Sequence, residues 1–380
     1  MGMVGGGPGS FIGAVHYYAA VLDGKIELVC GSFSSDSQKS MITGTRYFLD
    51  PSRIYPTYRE MMTRERDLPE HRRIDLVSIV TPNHLHFEPA RLALENGFHV
   101  VCDKPLCHTT REAGELVKLT EKTGLIFALT YPYISYPVVK EARVMIDSGA
   151  LGKIRKVVVE YPQGWLSERL EITDNKQAGW RGDPARSGRC GAMADIGVHA
   201  VNLAEYVTSL KVTELFADLS RVVPGRVLDD DGNILVRFSN GANGIMFATQ
   251  IAAGEENDVN IRVWGEKGGL EWHHRDPNTL IHKIPGRPAQ IIRAGHHEYL
   301  SSLARHNTRI VAGHPEGFVE AFANIYRNVA SLIQARMAGT TPAREDLDYP
   351  DIYAGLRGMI FQDLVVESSE KKKWVRFPEA

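Results

Sequence analysis

The first 130 residues leave little freedom of architecture, because apolar strand-like runs and helix-patterned runs take turns along them. Residues 1–4 run into the turn Gly5-Gly6-Gly7-Pro8-Gly9-Ser10-Phe11-Ile12-Gly13, and residues 14–22 then carry helical periodicity. A second buried strand at 26–33 completes a βαβ unit. The alternation continues with helix 57–66, strand 75–80, helix 87–96 stopped by Gly97, strand 98–102, helix 109–123 stopped by Gly124 and strand 125–129. Such an order predicts a parallel, doubly wound sheet covered on both faces, with ligands beyond the carboxyl ends of its strands.

Four strand ends therefore hold the candidate cofactor residues. Glycines let a backbone turn tightly and approach a diphosphate, whose charge is attracted by the free N–H groups and dipole of the following helix. Gly5, Gly7, Pro8, Gly9, Ser10, Phe11 and Ile12 occupy that position, although Ser10 stands where a third glycine is usual and Gly13 comes late. Taken alone the turn is equally a plain glycine-rich connection. The second strand ends near Ser32, and Asp36 is the first acid after it, so Asp36 either caps the next helix or holds the ribose hydroxyls of a dinucleotide. With no arginine beside it, NAD is favoured over NADP. The other two ends are Thr81-Pro82-Asn83-His84-Leu85-His86, with His86 included in the cofactor set, and Asp103-Lys104-Pro105. A lysine at the tip of a buried strand is an awkward place for a charge unless a ligand or an acid compensates it; the alternative is an exposed loop lysine.

After Tyr131-Pro132-Tyr133 the pattern changes. One helix at 136–148 precedes strands at 154–161, 212–223, 233–238, 244–251, 259–264 and 270–273, with hairpin signals at Asn240-Gly241 and 267–269. These predict a large open sheet, mixed or antiparallel, with a helix at 195–210 on one face and two closing helices near 315–338 and 350–369. The helix opens with Gly191-Ala192-Met193-Ala194-Asp195-Ile196-Gly197-Val198-His199, in which Asp195 and His199 are four apart and share a face. A buried histidine beside a capping aspartate would look the same. Gly191 and Gly197 remove side chains there, so a ligand or another backbone can come close. Around this centre Arg181 and Asp183 read as a pair that suits a sugar or is a structural ion pair of a surface loop, Trp165 stacks on a ring or lies in the core, Tyr131 at the domain junction meets the substrate or only packs, and His314 precedes a proline that reads as the first residue of a helix.

A chain of 380 residues suits two domains, divided here as 1–130 and 131–380 with the C-terminal helices free to pack back on the first. A formal net charge of −2 gives no concentrated basic surface for nucleic acid or an anionic membrane. No apolar run approaches the roughly 20 residues that cross a bilayer, and no signal-peptide pattern precedes the first strand. Cys30, Cys102, Cys107 and Cys190 lack Cys-x-x-Cys spacing, and the histidines form no ligand set, so a reducing cytoplasm and no catalytic metal are expected.

The turn at 5–13, Thr81-Pro82-Asn83, Asp103-Lys104-Pro105 and Gly191-x-x-x-Asp195-x-Gly197-x-His199 together resemble the glucose-fructose oxidoreductase / inositol dehydrogenase (Gfo/Idh/MocA) family, over nearly the whole chain. Two departures stand out: Asp103 replaces the glutamate that commonly precedes the lysine, and the glycine loop is lengthened. The resemblance implies a Rossmann α/β domain followed by an α+β domain whose open sheet makes homodimers or homotetramers. It also implies an NAD(P)-dependent oxidation of a ring hydroxyl on a sugar, glucoside or inositol. His199 would be the general base, Lys104 would donate to the same oxygen, and Asp195 would accept from a neighbouring hydroxyl. Two other readings remain: a glycoside-cleaving enzyme that oxidises the ring transiently, and a non-catalytic sugar or nucleotide sensor.

Overall fold

The computed structural model describes residues 1–378, which divide into two compact units. The first comprises Met1–Pro132 and Phe318–Leu356; the second comprises Tyr133–Gly317 and the chain from Arg357 onward. The stretch 318–356, numbered with the second domain but free to pack back on the first, groups with the first unit.

In the first unit β1 (Gly2–Gly5), β2 (Cys30–Ser32), β3 (Leu76–Val80), β4 (His99–Cys102) and β5 (Phe127–Leu129) form a five-stranded parallel sheet in the order β2-β1-β3-β4-β5. Every residue of β3 and β4 is buried, as strands covered on both faces must be. Helix Phe11–Val21 buries Val15 and Ala19 in one core with Phe322, Ala323, Tyr326, Val329 and Ile333 of the long helix Phe318–Ala338. The second strand is shorter than 26–33. β1 pairs with it only from Gly2 onward, and before Cys30 just two main-chain bonds continue the association, Val29 N–H to the Met1 carbonyl and the Met1 ammonium to the Glu27 carbonyl.

The second unit is built on β6 (Ile154–Pro162), β7 (Val212–Ser220), β8 (Asp231–Phe238), β9 (Asn243–Thr249), β10 (Asn260–Gly265), β11 (Gly269–His273), β12 (Thr279–Lys283), β13 (Gln290–Arg293) and β14 (Val375–Arg376). Their order is β13-β12-β11-β10-β6-β9-β8-β7-β14, antiparallel throughout except for the parallel pair β6 and β9. The last three strands carry signals too weak to be read from the chain. The closing helix begins at Phe318 rather than at Pro315. Glu316 is the cause: its carboxylate accepts from the Arg309 and Ile310 N–H groups at 2.6 and 3.2 Å, and Asn278 bonds both its carbonyl and its N–H, which pins 316 into a loop.

Candidate active site

The glycine turn joins β1 to its helix with Gly5, Gly6 and Gly9 at φ values of +90°, +82° and +78°, which side-chain-bearing residues rarely adopt. A Cβ on Gly13 would lie 2.4 Å from the Gly6 Cα, and one on Gly7 would lie 2.9 Å from the Phe33 carbonyl oxygen. Gly13 therefore does the close-packing work expected of a third glycine. Ser10, in the usual place of that glycine, caps the helix instead, its hydroxyl accepting from the Gly13 N–H at 3.2 Å. Pro8, Gly9 and Phe11 form an exposed rim, and Ile12 is half-buried behind it. This cradle of main chain at a helix start has the donor set a dinucleotide diphosphate needs, and a Cβ at Gly9 meets nothing within 4 Å. Ser32 is buried where β2 ends. Asp36 caps helix Ser37–Arg46, accepting from the Gln38 and Lys39 N–H groups.

The ends of β3 and β4 are tied together. His86, fully buried, places Nε2 2.7 Å from the Thr81 carbonyl and Nδ1 2.8 Å from the Pro105 carbonyl. Both nitrogens face main chain, so His86, expected among the cofactor residues, fixes the loops that carry Thr81, Pro82, Asn83 and Lys104. Thr81 donates to the Leu85 carbonyl, Pro82 stands at the start of the 3₁₀ turn Asn83–Leu85, and Asn83 is buried. Asp103 accepts from the Thr130 hydroxyl at 2.6 Å and lies 3.7 Å from Nε2 of the buried His16. Burial pushes the Asp103 carboxyl up, but His16, the neighbouring Lys104 charge and Thr130 outweigh it and hold the group well below the usual carboxylate range. Lys104 is half-buried beside that carboxylate, and its peptide bond to Pro105 is cis. Tyr131 is buried, and burial together with the Asp103 charge raises its phenol.

In the second unit Met193–Gly197 form a π-helical turn that runs into helix Val198–Thr208. Asp195 stands in the turn, with 17% side-chain exposure, and His199 on the first helical residues, 5% exposed. Gly197 leaves room for Met193, whose sulfur would lie 2.8 Å from a Cβ there. The single parallel strand pair supplies the partners. Parallel strands end side by side, so Gln163 after β6 and Gln250 after β9 meet, with Gln163 N–H to the Thr249 carbonyl at 2.8 Å and Leu166 N–H to the Gln250 carbonyl at 3.0 Å. Gln250 then donates through Nε2 to Asp195 Oδ2 at 2.8 Å and to Gln163 Oε1 at 3.4 Å, and Trp165 donates its indole N–H to that same Gln163 oxygen at 3.1 Å.

Arg181 Nε lies 3.3 Å from Asp195 Oδ2, and its guanidinium faces the Trp180 and Trp165 rings at 4.3 and 5.8 Å. The expected pairing of Arg181 with Asp183 is thereby corrected. Asp183 caps the short helix Pro184–Ser187 and sits 3.4 Å from Arg186, because an N-terminal aspartate two residues before a free main-chain N–H is captured by it. His314 is exposed in the loop that Glu316 pins, away from any helix start.

Behind Asp195 and His199 lies a closed polar ring that the sequence did not announce. The Tyr133 and Tyr161 hydroxyls are 2.5 Å apart, Tyr161 donates to Asn257 Oδ1 at 2.8 Å, and Asn257 donates back to Tyr133 at 3.1 Å. Gln163 also donates to Asn257 Oδ1. The Tyr133 ring meets the His199 imidazole edge-on at 4.9 Å. Burial raises both phenols, with the Asp195 charge adding to it, so they stay neutral donors.

These features define a nucleotide-binding oxidoreductase, and residues 1–131 match the model of an oxidoreductase family with an NAD-binding Rossmann fold. Residues 139–271 match the GFO/IDH/MocA C-terminal domain. The chain belongs to the GFO/IDH/MocA family. It is 34% identical over 379 residues to an uncharacterized oxidoreductase, YfiI, of Bacillus subtilis, covering 99% of this chain and 96% of that one. It is 26% identical to a levoglucosan dehydrogenase of Pseudarthrobacter phenanthrenivorans over 80% of each chain. A solved inositol dehydrogenase homolog from Azotobacter vinelandii, complexed with NADH and myo-inositol, superposes with a TM-score of 0.89 at 34% identity, covering 99% of this chain and 97% of that one.

Proposed function

We propose that the protein oxidises a ring secondary hydroxyl of an inositol, sugar or glucoside, with NAD preferred over NADP. The observation that carries this reading is the convergence on one helix start of a carboxylate fixed by Gln250 and Arg181 and an imidazole one turn further on. Two groups so placed suit a polyol: one takes a proton while the other holds the neighbouring hydroxyl. The glycine cradle from Gly5 to Ile12 would bind the diphosphate, and the nicotinamide, when bound, supplies the hydride acceptor. His199 removes the hydroxyl proton, since hydride departs readily only from an alkoxide-like carbon. Lys104 donates to that oxygen and stabilises its developing charge, and Asp195 orients the ring. The similarity to a homolog complexed with NADH and myo-inositol supports the same substrate class.

Two further parts of the reading rest on other observations. Leu235 and Ile245, paired across β8 and β9, are exposed on the sheet face together with Trp264 and Ile291, which suits a second copy and hence a homodimer or homotetramer. All four cysteines are free and buried, which agrees with a reducing, cytoplasmic home. The test is to incubate the protein with inositols, monosaccharides and glucosides, with NAD or NADP, and follow reduced cofactor. Reduction by at least one polyol, faster with NAD, supports the proposal; glycoside cleavage without net reduced cofactor supports the cleaving enzyme instead, and silence throughout supports a sensor.

A further inference from the structure

The turn that carries Asp195 has no side-chain cap of its own. Its first N–H groups are nonetheless bonded, and the acceptor comes from 36 to 38 residues away. Asp229, in the loop before β8, accepts from the Gly191 N–H through Oδ1 at 2.6 Å and from the Met193 N–H through Oδ2 at 2.9 Å. Its main-chain carbonyl accepts from the Ala192 N–H at 2.9 Å. Three successive residues are thus gripped by one. The grip needs glycine at 191, where a Cβ would lie 2.3 Å from the Asp229 carbonyl oxygen. Asp195 N–H in turn bonds the Gly191 carbonyl at 3.0 Å, so a shift at Gly191 is passed to the residue that orients the substrate.

We infer that Asp229 is a positioning residue, a remote cap whose carboxylate sets the place of Asp195 and His199 without touching the reacting atoms. The inference rests on the reading of those two residues as the reaction centre. The charge is held at a cost. Burial, with Asp230 adjacent, pushes the Asp229 carboxyl up to about 6 in spite of its main-chain bonds. Of the groups facing it, Asp230 on its own loop is engaged by Arg226 and the Val222 and Val223 N–H groups, and the buried Cys190 thiol on the facing segment is itself pushed up by burial and by the Asp229 charge. A carboxyl whose folded value exceeds its unfolded one favours folding when protonated, and that contribution is lost as pH rises through about 6. A buried charge kept at neutral pH against this cost fits a functional clamp better than a stability element.

The test uses the full chain, Asp229→Asn as the conservative variant, and Asp229→Ala and His199→Ala beside it. The amide variant keeps one acceptor but turns an N–H toward the Met193 N–H. By hydrogen exchange, amides at 191–197 should open at least about tenfold faster in Asp229→Asn, while those of the glycine turn stay unchanged. With the polyol that the wild type oxidises, kcat/KM should fall about 10- to 100-fold with NAD affinity unaltered, as expected when reacting groups are misplaced by a fraction of an ångström. The melting temperature of the wild type relative to Asp229→Asn should decline as pH rises from about 4 to about 6 and level off above that. Unchanged exchange at 191–197, or wild-type turnover in Asp229→Asn, overturns the inference even where His199→Ala is inactive. An active His199→Ala overturns the underlying functional reading instead.

Discussion

The two units present different kinds of surface to a ligand. In the first, the glycine turn presents main chain, and the few side chains involved, His86, Asp103 and Ser10, mostly brace loops. In the second, the surface is almost entirely side chain: Asp195, His199, Arg181, Gln250, Gln163 and the Tyr133-Tyr161-Asn257 ring. Main-chain binding suits a cofactor diphosphate, whose recognition needs only N–H donors and a helix start, whereas side chains can be exchanged to suit one polyol or another. The contrast predicts that changes in the first unit act on dinucleotide affinity and changes in the second act on the polyol.

The largest effects should come from the groups proposed to act on the reacting oxygen. His199→Ala and Lys104→Ala should each lower kcat about 10²-fold or more while NAD affinity, read by fluorescence titration, stays the same. Lys104 sharpens the contrast, since it is the side chain of the first unit expected to act on the polyol. Next, Gly13→Ala must push against the Gly6 Cα at 2.4 Å. It should raise the KM for NAD about tenfold and leave the polyol KM alone, overpacking of this kind costing about 1–3 kcal/mol. A change confined to the polyol KM would break the division.

Gln250→Ala is the matching change in the second unit. It removes the 2.8 Å bond to Asp195, and a bond to a charged group is worth about 1.5–3 kcal/mol, so the polyol KM should rise about tenfold without affecting NAD. The smallest effect concerns stability. Because the Asp103 carboxyl is held below its ordinary value, its stabilising contribution is in place above about pH 4 and is lost as pH falls toward the lower folded value. Asp103→Asn should therefore melt earlier than the wild type at pH 7, with the gap closing in acid.

The same contrast governs how much could be read from the chain. The parallel sheet and the glycine turn were legible because their signals are local, carried by residue type and period within about ten residues. Asp195 and His199 were legible because four residues of helix bring them together. Gln163, Gln250 and Asn257 were not, since Gln163 follows β6, Gln250 follows β9 and Asn257 precedes β10, and only the register of those three strands makes them neighbours. Arg181 was singled out but paired with the wrong acid, as local capping takes Asp183 and the fold brings Asp195 from 14 positions away. His16 offered no signal at all: its partners Tyr326 and Asp103 lie on segments far apart in sequence.

A single isotope experiment tests hydride transfer from a ring carbon most directly. A polyol that the enzyme turns over is prepared with deuterium on the ring carbon bearing the reacting hydroxyl and incubated with NAD. The account predicts one deuterium at C4 of the reduced nicotinamide for each ketone formed, with no such product from His199→Ala. Deuterium retained in the carbohydrate, with cofactor unreduced at the end, would contradict it.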